Sequence, residues 1–193
     1  METTFVVEEV GSCSLVWLQS KDGTNRLHKA CVEKLTDAVR QAARKTCAAL
    51  IMTGNDRFFS MGADLAEISA LNAVEAYEFS RIGQELMSAI DEFPAPTYAA
   101  ISGFCMGGGL DIVLACRYRI ASPHSIFGHR GAALGLMTGW GGTQRLPRLI
   151  GKGRALGMFV TAAKITAQEA LRIGLIDAIA DHPVGESLKR AAR

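Results

Sequence analysis

Three consecutive glycines, Gly107 to Gly109, are followed by Leu110 and the carboxylate of Asp111. Strand-forming residues precede the glycines and a continuous apolar run follows them, so the pattern predicts a turn that leads into a buried helix. The first N–H groups of a helix lack intrahelical partners and lie at the positive end of its dipole. The stretch can therefore stabilise negative charge that develops on an oxygen during a reaction.

The glycine run and Asp111 also have purely structural interpretations. Interior glycines often mark only a close approach between two backbones. An aspartate in the first turn complements the helix dipole without any catalytic role, whereas its apolar neighbours can raise its pKa into a range that suits proton transfer. The sequence by itself favours neither role for Asp111. The glycines match neither a dinucleotide fingerprint nor a P-loop, so no nucleotide site is predicted.

A second stretch of small residues runs from Met61 through Gly62 and Ala63 to Asp64 and Leu65. A plain turn with Asp64 as the N-cap of a short helix would explain it. The same stretch could supply a second free N–H, which an oxyanion site with two donors requires.

Other reactive residue types give weaker signals. The four histidines have no metal-ligand spacing and are interpreted as lone surface residues: His28, His124, His129 and His182. No G-x-S-x-G elbow surrounds Ser102 or Cys105, so a hydrolase triad is not predicted.

The composition limits the class of protein. The chain has 193 residues, of which 49% are hydrophobic and 21% charged, and it suits one globular domain. A net charge of +2 favours neither nucleic acid nor a membrane surface as a partner. Five cysteines without a CxxC pair predict free, buried thiols in a reducing compartment. Since no signal peptide or membrane-spanning run is recognisable, a cytoplasmic protein is expected.

The elements that must position these residues alternate along the chain. Alternating or continuous apolar runs predict strands at 5–10, 14–18, 48–52, 97–101, 118–121, 125–127 and 175–179. Helical spacing predicts helices at 27–44, 74–93, 143–150, 154–162 and 167–173, besides those after residue 64 and after the glycine run. Residues 57–65 are predicted as an apolar loop that leads into the helix after residue 64. This order is typical of a layered α/β fold of the βαβ type.

Several of these motifs in combination resemble the crotonase superfamily, which includes the enoyl-CoA hydratases and isomerases. The matching segments are 59–65, 103–111, 139–148 and 165–176, and the likeness extends from the first strands to about residue 179. The resemblance implies a crotonase-like spiral of ββα units, with two stacked sheets flanked by helices. Residues 1–180 would form the core domain. Residues 181–193 would form a short helix or tail in place of the longer C-terminal helical segment of full-length relatives.

The resemblance also implies roles for individual residues. Members of this family hold the oxygen of an acyl-CoA thioester with two backbone N–H groups, which fall here on Ala63 and Gly108. Asp111 falls on the position of a catalytic carboxylate. Residues expected to contact the substrate are Met61, Asp64, Leu65 and Gly107. The implied partner is an acyl-CoA that serves as the substrate, with no separate cofactor and no metal, and the implied assembly is a homotrimer or hexamer.

The chain departs from the family pattern at the acid–base positions. Hydratases of this family carry two glutamates, and the positions fall here on Asp111 and Gly131. An acid that some members carry further along falls on Gly139. His129 and Arg130 adjoin the missing acid and are candidates to replace it. Hydration usually divides its proton transfers between two carboxylates, so the pattern predicts enolate stabilisation with an incomplete acid–base pair.

Two alternatives to a hydratase remain open at this point. One is a different reaction of the same family that needs one acid or none, such as double-bond isomerisation, decarboxylation or thioester hydrolysis. The other is a protein that keeps the fold as a non-catalytic acyl-CoA-binding or assembly module.

Overall fold

Short strands and helices alternate along the computed structural model, which describes residues 3–192. The strands are β1 (Thr3–Val10), β2 (Cys13–Ser20), β3 (Arg26–Leu27), β4 (Ala49–Thr53), β5 (Phe58–Ser60), β6 (Gly62–Ala63), β7 (Thr97–Ile101), β8 (Phe104–Met106), β9 (Tyr118–Ala121), β10 (Ile126–Gly128), β11 (Ile165–Thr166) and β12 (Ala178–Ile179). The helices are α1 (Lys29–Ala42), α2 (Leu65–Ala70), α3 (Ala73–Asp91), α4 (Gly108–Ala115), α5 (Gly142–Ile150), α6 (Lys152–Thr161), α7 (Ala167–Arg172) and α8 (Pro183–Ala191), and a 3₁₀ turn covers Gly131–Leu134.

The strands form two main sheets. The larger has the order β1-β2-β4-β7-β9-β12, in which the β1–β2 pair is antiparallel and the other pairs are parallel. The smaller has the order β11-β10-β8-β5, and a separate ladder joins β3 to β6. Consecutive strands alternate between the sheets, because β4, β7 and β9 lie in the larger one and β5, β8 and β10 follow in the smaller. The chain thus winds as a spiral of ββα turns, and the predicted α/β fold with two stacked sheets is confirmed.

The two faces of the larger sheet bury different side chains. Every residue of β4 and β7 is buried, and successive side chains point to opposite faces. Leu50 faces the core between the sheets, which it shares with Phe59 of the smaller sheet. Ile51 faces the other way, where Leu188 of α8 packs in the same cluster. Helix α8, within the predicted helix or tail at 181–193, therefore covers the outer face of this sheet.

Helix α4 lies inside the molecule. Each of its residues from Gly108 to Ala115 is buried, because α3, α5 and strands of both sheets surround it. The long helix α3 is capped at its N-terminus by Asn72, whose side chain forms a capping box with Glu75, and it ends before Pro94 as predicted. Helix α3 packs against α4 and forms one side of the site described below.

The structure corrects the prediction around the glycine run. The pattern predicts that strand 97–101 leads directly into the glycines, but β8 lies between them in the smaller sheet. The chain changes sheets at Gly103, which has a φ of +61° and where a Cβ would overlap the backbone of Arg57. The predicted loop at 57–65 likewise contains β5 and β6. Strands of two or three residues are too short to show a periodic pattern, and only their pairing identifies them.

Three further properties concern the cysteines, the length and polarity of the helices, and the possible metal ligands. All five cysteines are free within the described residues, and four of them are buried, as the sequence predicts. No helix between residues 3 and 192 combines the length and the apolar character needed to cross a membrane. The same range contains no group of three or more His, Cys, Asp or Glu residues placed to hold a metal ion.

Candidate active site

Two glycine-containing segments meet at the start of α4. Gly62 has a φ of +86°, and a Cβ there would lie 2.9 Å from the Gly108 nitrogen and 2.7 Å from the Met106 carbonyl oxygen. A glycine is therefore required at this contact, both for its left-handed conformation and for the space. Strand β6 is held in place by β3, with Leu27 opposite Ala63. The two segments predicted to form an oxyanion site are thus adjacent.

The hydrogen bonds around these two segments do not use every backbone N–H group. In α4 the Asp111 N–H donates to the Gly107 carbonyl at 3.0 Å, so the Gly108 N–H precedes the bonded part of the helix. In β6 the Asp64 N–H donates to the Leu27 carbonyl at 3.1 Å. Because the Asp64 N–H bonds toward β3 and neighbouring N–H groups of an extended chain point to opposite sides, we expect the Ala63 N–H to point away from β3. Ala63 and Gly108 both line one cavity.

That cavity has a volume of about 450 Å³ and a mostly apolar wall. Its apolar side chains come from α2, α3, the segment before α5 and the ends of β5 and β8: Met61, Leu65, Ile68, Leu71, Ala76, Phe79, Met106, Leu134, Leu136, Met137 and Trp140. Its polar side chains are few: Ser80, Asp111, His129, Arg130 and Thr138. An apolar cavity with a small number of convergent polar groups is the usual form of a small-molecule site.

The structure brings six of the seven predicted site residues to this cavity and leaves one outside. Met61, Ala63, Leu65, Gly107, Gly108 and Asp111 line it. Asp64 instead caps α2, where its Oδ1 accepts hydrogen bonds from the N–H groups of Ala66 at 2.8 Å and Glu67 at 3.2 Å. Asp64 therefore directs α2 along the cavity without lining the cavity itself.

The Asp111 carboxyl is buried at the inner end of the cavity, with 2% of the residue exposed. Burial raises the pKa of this carboxyl from 3.8 to about 7, although the Thr138 hydroxyl, the Arg145 cation and the Gly142 N–H act in the opposite direction. Thr138 donates its hydroxyl hydrogen to Asp111 Oδ2. At neutral pH the carboxyl is therefore present in both protonation states, as a group that both removes and returns protons must be.

His129 lies directly beside Asp111. Its Nε2 atom is 3.5 Å from Asp111 Oδ1, and its ring centroid is 5.3 Å from that of Phe159. Burial lowers the pKa of the imidazole from 6.5 to about 4, so it is neutral at neutral pH. The prediction of lone surface histidines is wrong for His129, which is 3% exposed. Its position next to Phe127-Gly128 was the only sequence signal, since nothing in its spacing from Asp111 indicates contact.

The two positions at which the family resemblance implies a further acid, Gly131 and Gly139, line the cavity. A Cβ at Gly131 would lie 2.5 Å from the Leu136 carbonyl oxygen, so the backbone of this chain occupies the place of a side chain there. A Cβ at Gly139 would lie 2.6 Å from Ser80 Oγ. At a third glycine, Gly142, a Cβ would collide with the Asp111 carboxyl and would lie 3.0 Å from His129 Nε2.

Comparisons with known proteins identify the family of this chain. A family model described as enoyl-CoA hydratase/isomerase matches residues 8–193. Crotonyl-CoA hydratase from Syntrophomonas wolfei is 37% identical over 176 residues, which cover 90% of this chain and 68% of that protein. Short-chain-enoyl-CoA hydratase from Clostridium acetobutylicum is 33% identical over 178 residues, which cover 91% of this chain and 68% of that protein.

Solved structures give the same result. Pseudomonas aeruginosa DspI superposes with a TM-score of 0.94 at 34% identity, covering 98% of this chain and 79% of that one. Enoyl-CoA hydratase from Bacillus anthracis superposes with a TM-score of 0.93 at 31% identity, covering 98% of this chain and 75% of that one. With the family model matching nearly all of its length, the chain belongs to the enoyl-CoA hydratase/isomerase family of the crotonase superfamily.

Proposed function

We propose that this protein binds an acyl-CoA thioester and stabilises the enolate of its acyl group. The observation that carries the proposal is the contact of Gly62 with the Gly108 nitrogen at the positive end of α4. Negative charge builds up on the thioester oxygen when a proton leaves the neighbouring carbon. The Ala63 and Gly108 N–H groups are fixed in advance and stabilise that charge, and losing one such donor typically costs about 3–4 kcal/mol of transition-state stabilisation.

The apolar cavity takes the acyl chain. Its wall of leucine, methionine and aromatic side chains contains few hydrogen-bonding groups, which suits a hydrocarbon chain and not a sugar or a nucleotide base. Met61 and Leu65 are 38% and 50% exposed, so they lie where a CoA arm would leave the cavity. No cofactor or metal other than the CoA thioester is needed for enolate chemistry of this kind.

Asp111 transfers the proton. In its ionised form it removes a proton from the acyl chain of a 3-enoyl-CoA next to the thioester carbonyl, and the electrons move onto the thioester oxygen. The same carboxyl then returns the proton to the far end of the resulting dienolate, which gives a 2-enoyl-CoA. This isomerisation consumes no water, and one carboxyl completes it, which fits a site where Gly131 and Gly139 supply no acid.

Hydration is the second candidate, because the curated relatives named above are hydratases. It would require the elements of water to be added across a 2-enoyl-CoA with Asp111 as the acidic residue and with His129 or Arg130 in place of the second acid. A homotrimer or hexamer is a further prediction of the resemblance, and a cytoplasmic location is a further prediction of the sequence composition. Sedimentation analysis checks the first, and fractionation of the source cells checks the second.

Calorimetry and product analysis in D2O test the proposal. We expect acyl-CoA to bind, and 3-enoyl-CoA to become 2-enoyl-CoA with little deuterium incorporated, because the buried carboxyl returns the proton that it removed. Formation of a 3-hydroxyacyl-CoA from 2-enoyl-CoA would favour hydration instead. Binding without turnover of either substrate would favour a non-catalytic acyl-CoA-binding protein, and failure to bind any acyl-CoA would overturn the proposal.

A further inference from the structure

The side chains of Asp111 and His129 form a pair that the proposed reaction does not yet use in full. Both residues are more than nine-tenths buried, with exposed fractions of 2% and 3%. Asp111 Oδ1 and His129 Nε2 are 3.5 Å apart, and neither atom forms a hydrogen bond of ordinary geometry in the described part of the chain, although the Gly142 N–H lies close enough to the carboxyl to favour its ionised form. Buried polar atoms are rarely left unpaired, since each such atom costs free energy. Because these two atoms face each other, a hydrogen bond between them would satisfy both.

The two oxygens of Asp111 have different surroundings. Oδ2 accepts the hydrogen bond from the Thr138 hydroxyl, so this oxygen already has a hydrogen-bond partner. Oδ1 faces the imidazole. A carboxylate oxygen can only accept, so the partner that satisfies it in the ionised state must donate a hydrogen. A neutral imidazole has one N–H and one bare nitrogen, and Nε2 meets this need when it carries the hydrogen.

We propose that His129 is a positioning residue, which donates its Nε2–H to Asp111 Oδ1, orients that carboxyl and supports its ionised form. The separation of 3.5 Å is longer than an ordinary N–H···O bond. Hydrogen bonds to ionised groups are shorter and stronger than neutral ones. The contact therefore shortens when Asp111 ionises and relaxes when it takes up a proton. For its catalytic consequence, though not for the hydrogen bond itself, this inference rests on the proposed function.

Other charged groups near the pair act in defined directions. The Arg145 cation on α5 also favours the ionised carboxyl. Cys105 on β8 is a buried thiol whose pKa is raised well above its ordinary value by burial and by Asp111, so it is a neutral neighbour. Arg130, the next residue after His129, also lines the cavity. The uncharged neighbour on the other side of the imidazole is Phe159. Of these side chains, His129 is the one placed against Oδ1, and the backbone of Gly142 on α5 also lies beside that oxygen.

The pair explains how one carboxyl can serve as both base and acid. When Asp111 removes a proton from the substrate, its charge disappears and the His129 bond weakens. When it returns the proton, the charge reappears and the bond strengthens again. His129 stays neutral throughout and exchanges no proton with the substrate. Its contribution is to keep enough of the buried carboxyl ionised at neutral pH for the first step.

Substitution of His129 tests this role, with the protonation of Asp111 as the readout. The carboxyl pKa is measured by NMR of protein carrying ¹³C-labelled aspartate, and the Asp111→Asn variant assigns the signal. His129→Phe keeps a ring against Phe159 and removes the donor. We expect it to raise the Asp111 pKa by about one to two pH units, the amount due to one lost charge-assisted hydrogen bond. His129→Gln keeps a donor near the Nε2 position and restores most of the shift. His124→Phe, at an exposed histidine, is the matched control and leaves the pKa unchanged.

The rate profile gives a readout that a purely structural role would not move. With the pKa raised by about one unit, kcat/KM of the His129→Phe variant falls by about fivefold at pH 7, because less of the carboxyl is ionised. The lost rate returns by about pH 9, where the carboxyl is ionised in both proteins. A rate that stays low at high pH, or an Asp111 pKa that does not rise, would overturn the proposal.

If His129→Phe does not fold, ¹⁵N NMR of the imidazole in the unaltered protein decides. A neutral ring with its hydrogen on Nε2 between pH 5 and 8 supports the pair, and a ring with Nε2 bare throughout overturns it. Neither NMR measurement needs a substrate. If the NMR titrations of Asp111 and His129 behave as expected but the protein turns over no acyl-CoA, the Asp111–His129 pair is supported and the proposed function is rejected. Turnover without any effect of His129 would do the reverse.

Discussion

The start of α4 and the side-chain cluster one turn further along the same helix are built in different ways. At the start, the contact between Gly62 and Gly108 leaves backbone N–H groups and uses no side chain. One turn on, Asp111 meets His129 and Thr138, which lie 18 and 27 residues further along the chain. The first arrangement depends on the absence of Cβ atoms. The second depends on where three side chains meet.

This difference separates two tasks. Amide N–H groups do not ionise at any pH where the protein is folded, so the backbone part of the site stabilises charge equally well across the working range. The carboxyl of Asp111, with a pKa raised by burial to about 7, changes its protonation near neutral pH. We therefore expect the backbone part to set the size of the rate and the side-chain part to set its dependence on pH.

Removal of the Asp111 carboxyl is the change in the side-chain part that is expected to lower the rate most. Asp111→Asn keeps the shape and an acceptor for Thr138 but cannot transfer a proton. We expect kcat for acyl-CoA turnover to fall by about 10²–10⁴-fold, with acyl-CoA binding retained. Steady-state kinetics and calorimetry measure the two effects. Asp37→Asn, at an exposed residue of α1, is the control. An unchanged kcat would take the proton-transfer role from Asp111 and leave the backbone part intact.

Gly62→Ala is the corresponding test of the backbone part. A Cβ at this residue would push against the Gly108 nitrogen and the Met106 carbonyl, so the two donor segments must separate. We expect the rate to fall by about 10²–10³-fold, the loss typical of one missing oxyanion donor, without a change in the pH midpoint.

Gly11→Ala separates the loss of geometry from backbone strain. Gly11 has a φ of +62° in the hairpin turn and no neighbour within 4 Å of its Cβ position, so this variant carries the strain of a left-handed alanine alone. It should keep full activity. If both variants lose activity equally, the contact at Gly62 is not the cause.

The free energy of unfolding should depend on pH in a way that Asp111 controls. The folded pKa of this carboxyl, about 7, exceeds its ordinary value of 3.8, so the folded protein keeps a proton that the unfolded chain releases. Stability from this group is present below about pH 4 and is lost as the pH rises through 7, by about 4 kcal/mol in total. Asp111→Asn removes the effect, and the variant should become more stable than the parent protein as the pH rises.

His129 acts in the opposite direction over part of this range. Its pKa is lowered from 6.5 to about 4, so its stabilising contribution is present above pH 6.5 and is lost as the pH falls through 4. The two effects partly cancel between pH 4 and 6.5, and Asp111→Asn should therefore expose the rise that His129 causes. Urea unfolding at intervals from pH 4 to 8 measures both curves. Parallel curves for the variant and the parent protein would show that Asp111 is ionised in the folded state at all these values.

The smallest expected effect comes from introducing a carboxylate where the family resemblance implies an acid and this chain has a glycine. Gly139→Glu combined with Ser80→Ala removes the one hydroxyl that a Cβ at residue 139 would meet within 3 Å. We expect this double variant to gain hydration of 2-enoyl-CoA by about tenfold or more, since a second positioned carboxyl is the missing group.

The matched comparison for this gain is Gly131→Glu. There the obstacle is the Leu136 carbonyl, a backbone atom that cannot move away cheaply, so this variant should lose stability without gaining hydration. Equal behaviour of the two variants would show that space at these positions does not limit the reaction. Absorbance of the enoyl thioester follows the hydration, and urea unfolding follows the stability.

Much of the fold could be predicted because its signals are local. Strands β4 and β7 are continuous apolar runs, which indicate burial on both faces. Helix α3 has a full apolar stripe and ends before two prolines. The short strands β5, β6 and β8 could not be predicted, since two or three residues carry no period and become strands only through pairing with distant partners.

The sequence by itself determined the glycines at the start of α4, the carboxylate that follows them and the family to which they belong, because these depend on residues next to one another. The tertiary structure alone decided that His129 is buried and faces Asp111, that Asp64 caps α2 instead of lining the cavity, and that the chain's own atoms crowd the places at Gly131 and Gly139. Burial and contact are relations between distant residues. The pKa of Asp111 and the neutral state of His129 follow from those relations, so no local pattern could specify them.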